Sequence, residues 1–143
     1  MSLRAGRLLL AIAILSIAGI IVSSVSLYHH YDRSQSSFCD FGGNFNCDIV
    51  NRSIYSVVFD VPVALVGIAG YAGLLALATL LRDKSASAKV LPVASLAGLA
   101  FALRLTYIEG FVLAAWCAMC LTSLAIIFTI AVISIFVSVR SPQ

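Results

Sequence analysis

Four cysteines fall into two pairs, Cys39/Cys47 and Cys117/Cys120. Seven residues separate the first two, and the second pair closes a Cys-Ala-Met-Cys run with two residues between the sulfurs. Thiols spaced in this way can do one chemistry well. Each pair can close to a disulfide, and a thiolate of one pair can attack the disulfide of the other, so that electrons pass through a mixed disulfide. From the second pair they could leave for an acceptor dissolved in lipid. Plainer readings compete. Cys39 and Cys47 could be a structural disulfide pinning a loop, since closing so short a loop costs little entropy. Cys117 and Cys120 could be packing residues, as buried free cysteines often are, and a lone CxxC is only moderately specific. The lack of any further cysteine weighs against packing. A structural zinc site is disfavoured, because the first spacing is wider than that of the usual zinc ligand pair and the second pair borders an apolar run.

The frame that must hold these sulfurs is set by composition. Of 143 residues, 62% are hydrophobic and 10% charged, with a mean hydropathy of +1.07. That excludes a soluble domain of this length and places the chain in the membrane class. The net charge of +3 is the excess of nine basic over six acidic residues, and the basic ones are scattered and form no patch for nucleic acid. Four charge-poor runs stand out, at residues 8–27, 61–81, 90–108 (interrupted by Arg104) and 110–139. A hydrocarbon core about 30 Å thick takes roughly 20 helical residues. The expected fold is therefore an all-α integral membrane protein, a four-transmembrane-helix bundle forming a single domain over 1–143. Its helices are expected at about 8–28, 61–81, 90–108 and 117–139, with an external loop at 29–60 between the first two. The continuous runs lack the alternation of a membrane barrel. Arg4, Arg7 and the small residues Ser23, Ser24 and Ser26 resemble a secretory signal, but the apolar stretch is longer than usual and is read as a retained helix.

Basic residues set the expected orientation. Arg4 and Arg7 precede the first run, Arg82, Lys84 and Lys89 separate the second and third, and Arg140 follows the last. By the positive-inside rule both termini and the 82–89 connection are cytoplasmic. Residues 29–60, with Cys39 and Cys47, and a short turn around Glu109 and Gly110 are then external. From Cys120 to Val139 is twenty residues, about 30 Å of helix, so Cys120 belongs at the outer edge of the hydrocarbon if Arg140 marks the inner one. All four sulfurs converge on the external side, where disulfides persist. The last helix starts there, and the positive end of its dipole favours thiolate at Cys117 and Cys120.

Other features carry weaker signals. Asp60-Val61-Pro62 reads as a helix start, with an acid at the cap and proline in the first turn. Gly67, Gly70 and Gly73 recur in the second run, and Ala94, Gly98 and Ala102 in the third. Small residues let membrane helices approach closely, and packing is the reading adopted, although a glycine face could also leave room for a flat ligand. The polar loop should turn sharply around Gly42 and Gly43. Arg104 is read as snorkelling to the interface, with thiolate stabilisation as the lesser alternative. Tyr28, Tyr31, Tyr107 and Trp116 fit an interfacial belt, and Trp116 could alternatively line a ligand site. His29 and His30 are adjacent and face different ways, so no metal pair is expected. Asn51-Arg52-Ser53 fits a glycosylation sequon.

Taken together, these residues resemble the vitamin K epoxide reductase family, and more closely its bacterial quinone-linked thiol oxidase branch. The likeness covers roughly residues 8–139. It rests on Ser-Leu-Tyr at 26–28, Cys39-Asp40, Cys47, Ser53, the Asp-Val-Pro-Val-Ala-Leu-Val-Gly run at 60–67, and Trp-Cys-Ala-Met-Cys at 116–120. The resemblance implies a thiol-disulfide:quinone oxidoreductase supporting disulfide bond formation, with Cys39, Cys47, Cys117 and Cys120 catalytic. Cys39 would exchange with a separate thioredoxin-like or DsbA-like partner, Cys47 would relay to Cys117, and Cys120 would face a quinone of ubiquinone or menaquinone type. It also implies quinone contacts at Ser53, Trp116 and Leu124, an acid after the first cysteine at Asp40, and a bacterial inner membrane with the cysteines on the periplasmic side. Leu124 stands where vertebrate members carry a tyrosine that binds the vitamin K headgroup, which favours thiol oxidation over epoxide reduction. A DsbB-type oxidase would have the two pairs in the opposite order. The remaining alternatives are an epoxide or quinone reductase of the same family and a non-catalytic membrane subunit with a structural disulfide; a small transporter or channel is poorly supported, because Arg104 is the one charge within the runs.

Overall fold

Backbone polar groups in hydrocarbon have to be satisfied within the segment, and an uncharged apolar run does this as a helix. The computed structural model describes residues 3–32, 43, 45–80, 83 and 85–140, the side chains of residues 48, 85 and 87 excepted. Helix α1 spans Leu3–Tyr31 and the short α2 Cys47–Asn51. A 3-10 turn at Ile54–Ser56 leads into strands β1 (Val57–Val58) and β2 (Val61–Pro62), then α3 (Val63–Thr79) and α4 (Ser85–Ile108). A π-helical turn, Glu109–Leu113, extends α4, and α5 spans Ala118–Arg140. Among the described residues, three stretches are long and apolar enough to cross a membrane: α1, Ala88–Leu113 and α5. Helix α3 has 17 residues, about 26 Å of helix.

Helix α1 packs along α3 and α5, and α4 along α5, whereas α3 and α4 scarcely touch. The core joins Leu9 and Ile12 to Tyr71 and Leu74, Leu91, and Ile127 and Ile130. Buried hydroxyls add a polar stitch between α4 and α5, where Ser95 and Ser134 lie 2.8 Å apart; one donates to the other, and the acceptor donates to a carbonyl one turn back on its own helix. The outward faces stay apolar, with Ile14, Ile21, Val93, Leu103, Phe128 and Phe136 exposed, a surface suited to lipid rather than water. Arg104 is exposed as well, in keeping with snorkelling. Arg4 and Leu8 of α1 meet Val137 and Arg140 of α5 around a small pocket, so the first and last helices are antiparallel. At the opposite end of the bundle α1 finishes, α3 begins, the π turn closes α4 and α5 starts.

The helices overlap the charge-poor runs, with one local correction. Within the run 110–139 the first residues complete the π turn, and the chain reverses at Ala114, whose φ of 49° is left-handed, before α5 begins. The Asp60-Val61-Pro62 start fails. Val61 and Pro62 pair with Val58 and Val57 as an antiparallel hairpin, and α3 begins at Val63 with no side-chain cap. Phe59 and Asp60 are the hairpin turn, with φ of 52° and 64°, as a two-residue primed turn requires. Asp60 thus shapes a turn and caps nothing. Within the described part of residues 29–60, α1 runs on to Tyr31, and α2, the 3-10 turn and β1 lie between Cys47 and Val58. The expectation at Gly42 lies outside the described residues; Gly43 has a φ of 64°.

Helices α1 and α3 pack closely at Gly19, where a β-carbon would lie 2.5 Å from the Tyr71 ring. The ring cannot yield without leaving the core. Gly19→Val should therefore lower the thermal unfolding midpoint in detergent by the equivalent of about 1–3 kcal/mol. An unchanged midpoint would show that the two helices do not meet there.

Candidate functional site

The short helix α2 carries Cys47 to its place. Asn46 caps it, its side-chain oxygen accepting the Ile49 N–H at 3.2 Å. Phe45 forms a parallel bridge with Trp116, and the Asn46 N–H donates to the Trp116 carbonyl at 3.0 Å. The far end of α2 is tied to α1. The Ser26 hydroxyl donates to Asn51 Oδ1 (3.0 Å), His30 Nδ1 donates to the Asn51 carbonyl, and Arg52 Nη2 donates to the Asp32 carbonyl (2.7 Å). One end is thereby fixed to the chain before α5 and the other to the end of α1. Cys47 and Val50 are buried with Ala115, Cys117 and Met119 in a second small core.

Within this core Cys47 is 1% and Cys117 0% exposed, and their sulfurs are 3.2 Å apart. Cys47 is disulfide-bonded, whereas Cys117 and Cys120 are free thiols. Cys117 stands just ahead of α5, and its carbonyl accepts the Leu121 N–H at 3.0 Å, the first helical bond. Its own N–H is one that a helix start leaves unpaired, and Glu109 Oε2 accepts it at 3.2 Å. The Cys120 thiol donates a hydrogen bond to the Cys117 sulfur and lowers its pKa from the ordinary thiol value. Backbone N–H groups of Cys120 and Met119 add to the effect, while burial and the Glu109 charge oppose it. A thiolate at a helix start is the reactive form of such a pair.

Beneath Cys120, between α3 and α4, lies a cavity of about 400 Å³. Both small-residue stripes line it: Gly67, Gly70 and Gly73 on one wall, Ala94, Gly98 and Ala102 on the other. Gly67 does meet a neighbour, since a β-carbon there would lie 2.8 Å from Ser23 Oγ, but Gly70 and Gly73 face open space. The stripe expected to serve packing therefore also opens room for a ligand. Polar atoms are few. Tyr71 donates to the Ser123 carbonyl (2.9 Å) and lies 2.8 Å from its hydroxyl. Ser53 donates to the Val50 carbonyl (2.8 Å). Asn51, 6% exposed, has an Nδ2 without a hydrogen-bond partner. An apolar cavity of this size with a few polar groups is the usual form of a small-molecule site.

Of the residues expected from sequence to be functional, Cys47 and Cys117 meet directly, and Cys120 and Ser53 border the cavity. Trp116 and Leu124 are not among its lining residues. Trp116 bridges to Phe45 through its backbone, and its ring lies against Gly110. Cys39, the proposed exchange residue, and Asp40 lie outside the described residues. Sequence reading missed Asn51, Tyr71, Ser123 and above all Glu109, which was placed in an external turn and is 2% exposed. An acid between two apolar runs was the signal available for Glu109; Tyr71 gave none beyond a hydroxyl inside a hydrophobic run. Among the described residues no cluster suits a metal ion.

The profile of the vitamin K epoxide reductase family matches residues 10–135. No curated protein matches the chain.

The depressed Cys117 pKa has a sign that can be measured. Its thiolate should persist to lower pH than an ordinary thiol, because the Cys120 hydrogen bond favours the charged form. In a Cys39→Ser/Cys47→Ser background, ultraviolet titration should give a thiolate midpoint that rises when Cys120→Ala removes that donor. A midpoint that stays put or falls would assign the shift to another cause.

Proposed function

The chain belongs to the vitamin K epoxide reductase family, and on that premise we propose that this membrane oxidoreductase carries electron pairs from a thioredoxin-like or DsbA-like dithiol protein to a membrane quinone. The observation that carries the reading is the 3.2 Å approach of Cys47 Sγ to Cys117 Sγ in a buried setting. Two sulfurs of a loop staple and an inert helix pair would have no reason to be brought into line.

The steps balance as follows. The partner's dithiol reduces the Cys39–Cys47 disulfide through Cys39 and leaves as a disulfide. The Cys47 thiolate attacks Cys117 in the Cys117–Cys120 disulfide and displaces Cys120 as thiolate. Cys39 then resolves the Cys47–Cys117 mixed disulfide, restoring the outer disulfide and leaving the electron pair on the inner dithiol. An oxidised Cys47 beside two free inner thiols corresponds to this last state. The quinone is the acceptor substrate: it takes two electrons and two protons to become the quinol.

The cavity suits a quinone headgroup. It is flat-walled along its glycines and apolar, with Cys120 at its edge and Asn51 and Tyr71 nearby. The family's serine position, Ser53, is among the lining residues. Leu124 lies away from the lining, and thiol oxidation is the reading preferred over epoxide reduction. The setting proposed is a bacterial inner membrane crossed four times, with α3 as the short span, both termini cytoplasmic and the cysteines periplasmic. In support, Arg4 and Arg140 gather at the end of the bundle away from the sulfurs.

Purified protein mixed with a reduced DsbA-like protein and a short-tailed quinone should consume quinone, followed by its absorbance. Cys120→Ser should abolish this and accumulate a Cys47–Cys117 mixed disulfide in non-reducing peptide mass spectra. Equal rates for wild type and variant would overturn the proposal. The cavity gives a second test. Gly70 has room for a side chain, and a helical glycine costs about 0.5–1 kcal/mol relative to alanine. Gly70→Leu should thus raise the KM for quinone several-fold while leaving the unfolding midpoint unchanged or higher. An unaltered KM would place the headgroup elsewhere.

A further inference from the structure

Glu109 is the one buried carboxyl among the described residues, and its surroundings call for explanation. It sits at the end of the apolar stretch Ala88–Leu113 and is 2% exposed. An ionised carboxylate in such a place is costly unless it is paired. Among the described residues no cation pairs with it. Its Oε2 is committed to the Cys117 N–H at 3.2 Å, and Oε1, although buried, has no hydrogen-bond partner. The carboxyl neighbours the Cys120 thiol, and Glu109 and Cys120 both line the cavity.

The backbone keeps the group in place. The Glu109 carbonyl accepts the N–H groups of Ala114 and, at 3.1 Å, of Ala115, closing the π turn. The left-handed Ala114 then turns the chain back so that Cys117 returns to the carboxyl. Turns of this kind recur at functional sites in helices. A purely structural acceptor for one N–H could be a neutral amide, which would avoid placing a charge beside two cysteine sulfurs.

We propose that Glu109 is the proton carrier of the inner dithiol: held by Oε2 on the Cys117 N–H, it takes the Cys120 proton on Oε1 and releases it into the cavity. The inference rests on the electron path proposed above and adds the route of the proton. When the dithiol is oxidised, Cys117 and Cys120 form one S–S bond and give up two electrons. The pair reacts as Cys117 thiolate and Cys120 thiol, so it releases one proton. The quinone takes both electrons, with that proton coming from Cys120 through Glu109 and the second from water. In the return direction, the Cys120 thiolate displaced by Cys47 is reprotonated from Glu109. Contact with the reacting thiol makes Glu109 a catalytic residue in this scheme, and its hold on Cys117 also positions that residue.

Glu109→Gln separates the two roles, because its amide oxygen can still accept the Cys117 N–H but the side chain carries no proton to transfer. With the inner pair pre-reduced, single-turnover reduction of a short-tailed quinone should slow by about 10²-fold or more in Glu109→Gln. Glu109→Asp should recover part of that loss. In a Cys120→Ser background, the yield of Cys47–Cys117 mixed disulfide should be the same with and without Glu109→Gln, since that exchange needs no proton from Cys120. Wild-type rates in Glu109→Gln, or equal losses in the Gln and Asp variants, would overturn the assignment. An independent arm needs no quinone. Oxidation of the inner dithiol by diamide should change a carboxyl band in the infrared difference spectrum of the wild type, and the change should be missing in Glu109→Gln. If the wild type has no such band, or the variant retains it, the proton carrier is refuted even where Glu109→Gln folds poorly. A wild type that reduces no quinone but shows the band would overturn the electron path and leave the proton carrier standing.

Discussion

Everything at the sulfur end of the bundle depends on bringing Cys47 against Cys117. The two lie 70 positions apart in sequence, and their 3.2 Å separation is far smaller than any variation a free loop would allow. The constraint is met by short-range backbone bonds. A bridge to Trp116 fixes the start of α2, and the Asn51 contacts to Ser26 and His30 fix its end. Helix α2 has only five residues and would not persist by its own propensity. Its cap, its docking and the hydrophobic contacts of Val50 and Cys47 supply what propensity cannot. The proposed disulfide exchange would need an in-line approach of three sulfurs, for which a rigid seat for the middle two is a precondition.

Burial sharpens that chemistry. Water is kept from Cys47 and Cys117 by Ala115, Met119 and Val22, and electrostatic effects are stronger where water is absent. A single hydrogen bond from Cys120, together with two backbone N–H groups, can then outweigh the cost of placing negative charge on a buried sulfur. The same dryness makes polar groups with no partner conspicuous. Asn51 Nδ2 and Glu109 Oε1 are two such atoms, and both belong to residues that line the cavity.

Much of this was legible in the sequence, for identifiable reasons. Charge-free runs reveal helices because the bilayer leaves few alternatives, and the cysteine spacing narrows the chemistry that can be proposed because thiols have a narrow repertoire. Local rules failed where longer-range pairing overrode them. Asp60-Val61-Pro62 satisfies the pattern for a helix start, yet the hairpin register uses Val61 and Pro62 and drives Phe59 and Asp60 into left-handed backbone. The sequence places Glu109 in a turn, as the π turn bears out, but does not reveal that it is buried. Its burial follows from the π turn and the reversal at Ala114, which no residue type announces. The glycines of α3 illustrate a subtler limit. Periodicity says that they share a face, but only the placement of α1 and α4 decides that Gly67 meets Ser23 of α1 while Gly70 and Gly73 meet nothing.

That last difference has a consequence for how the cavity can be filled. Where Gly70 and Gly73 form the wall, the surface is main chain, and main chain in a packed helix has no rotamers. Immobilising a flexible side chain on binding costs roughly 0.5–1.5 kcal/mol, a penalty that does not arise along this face. The shape of the wall exists before any guest arrives and stays the same after it leaves. A flat molecule can slide in and out without the helix having to order or disorder anything, which suits the proposed role of a site that exchanges its quinone at every turnover.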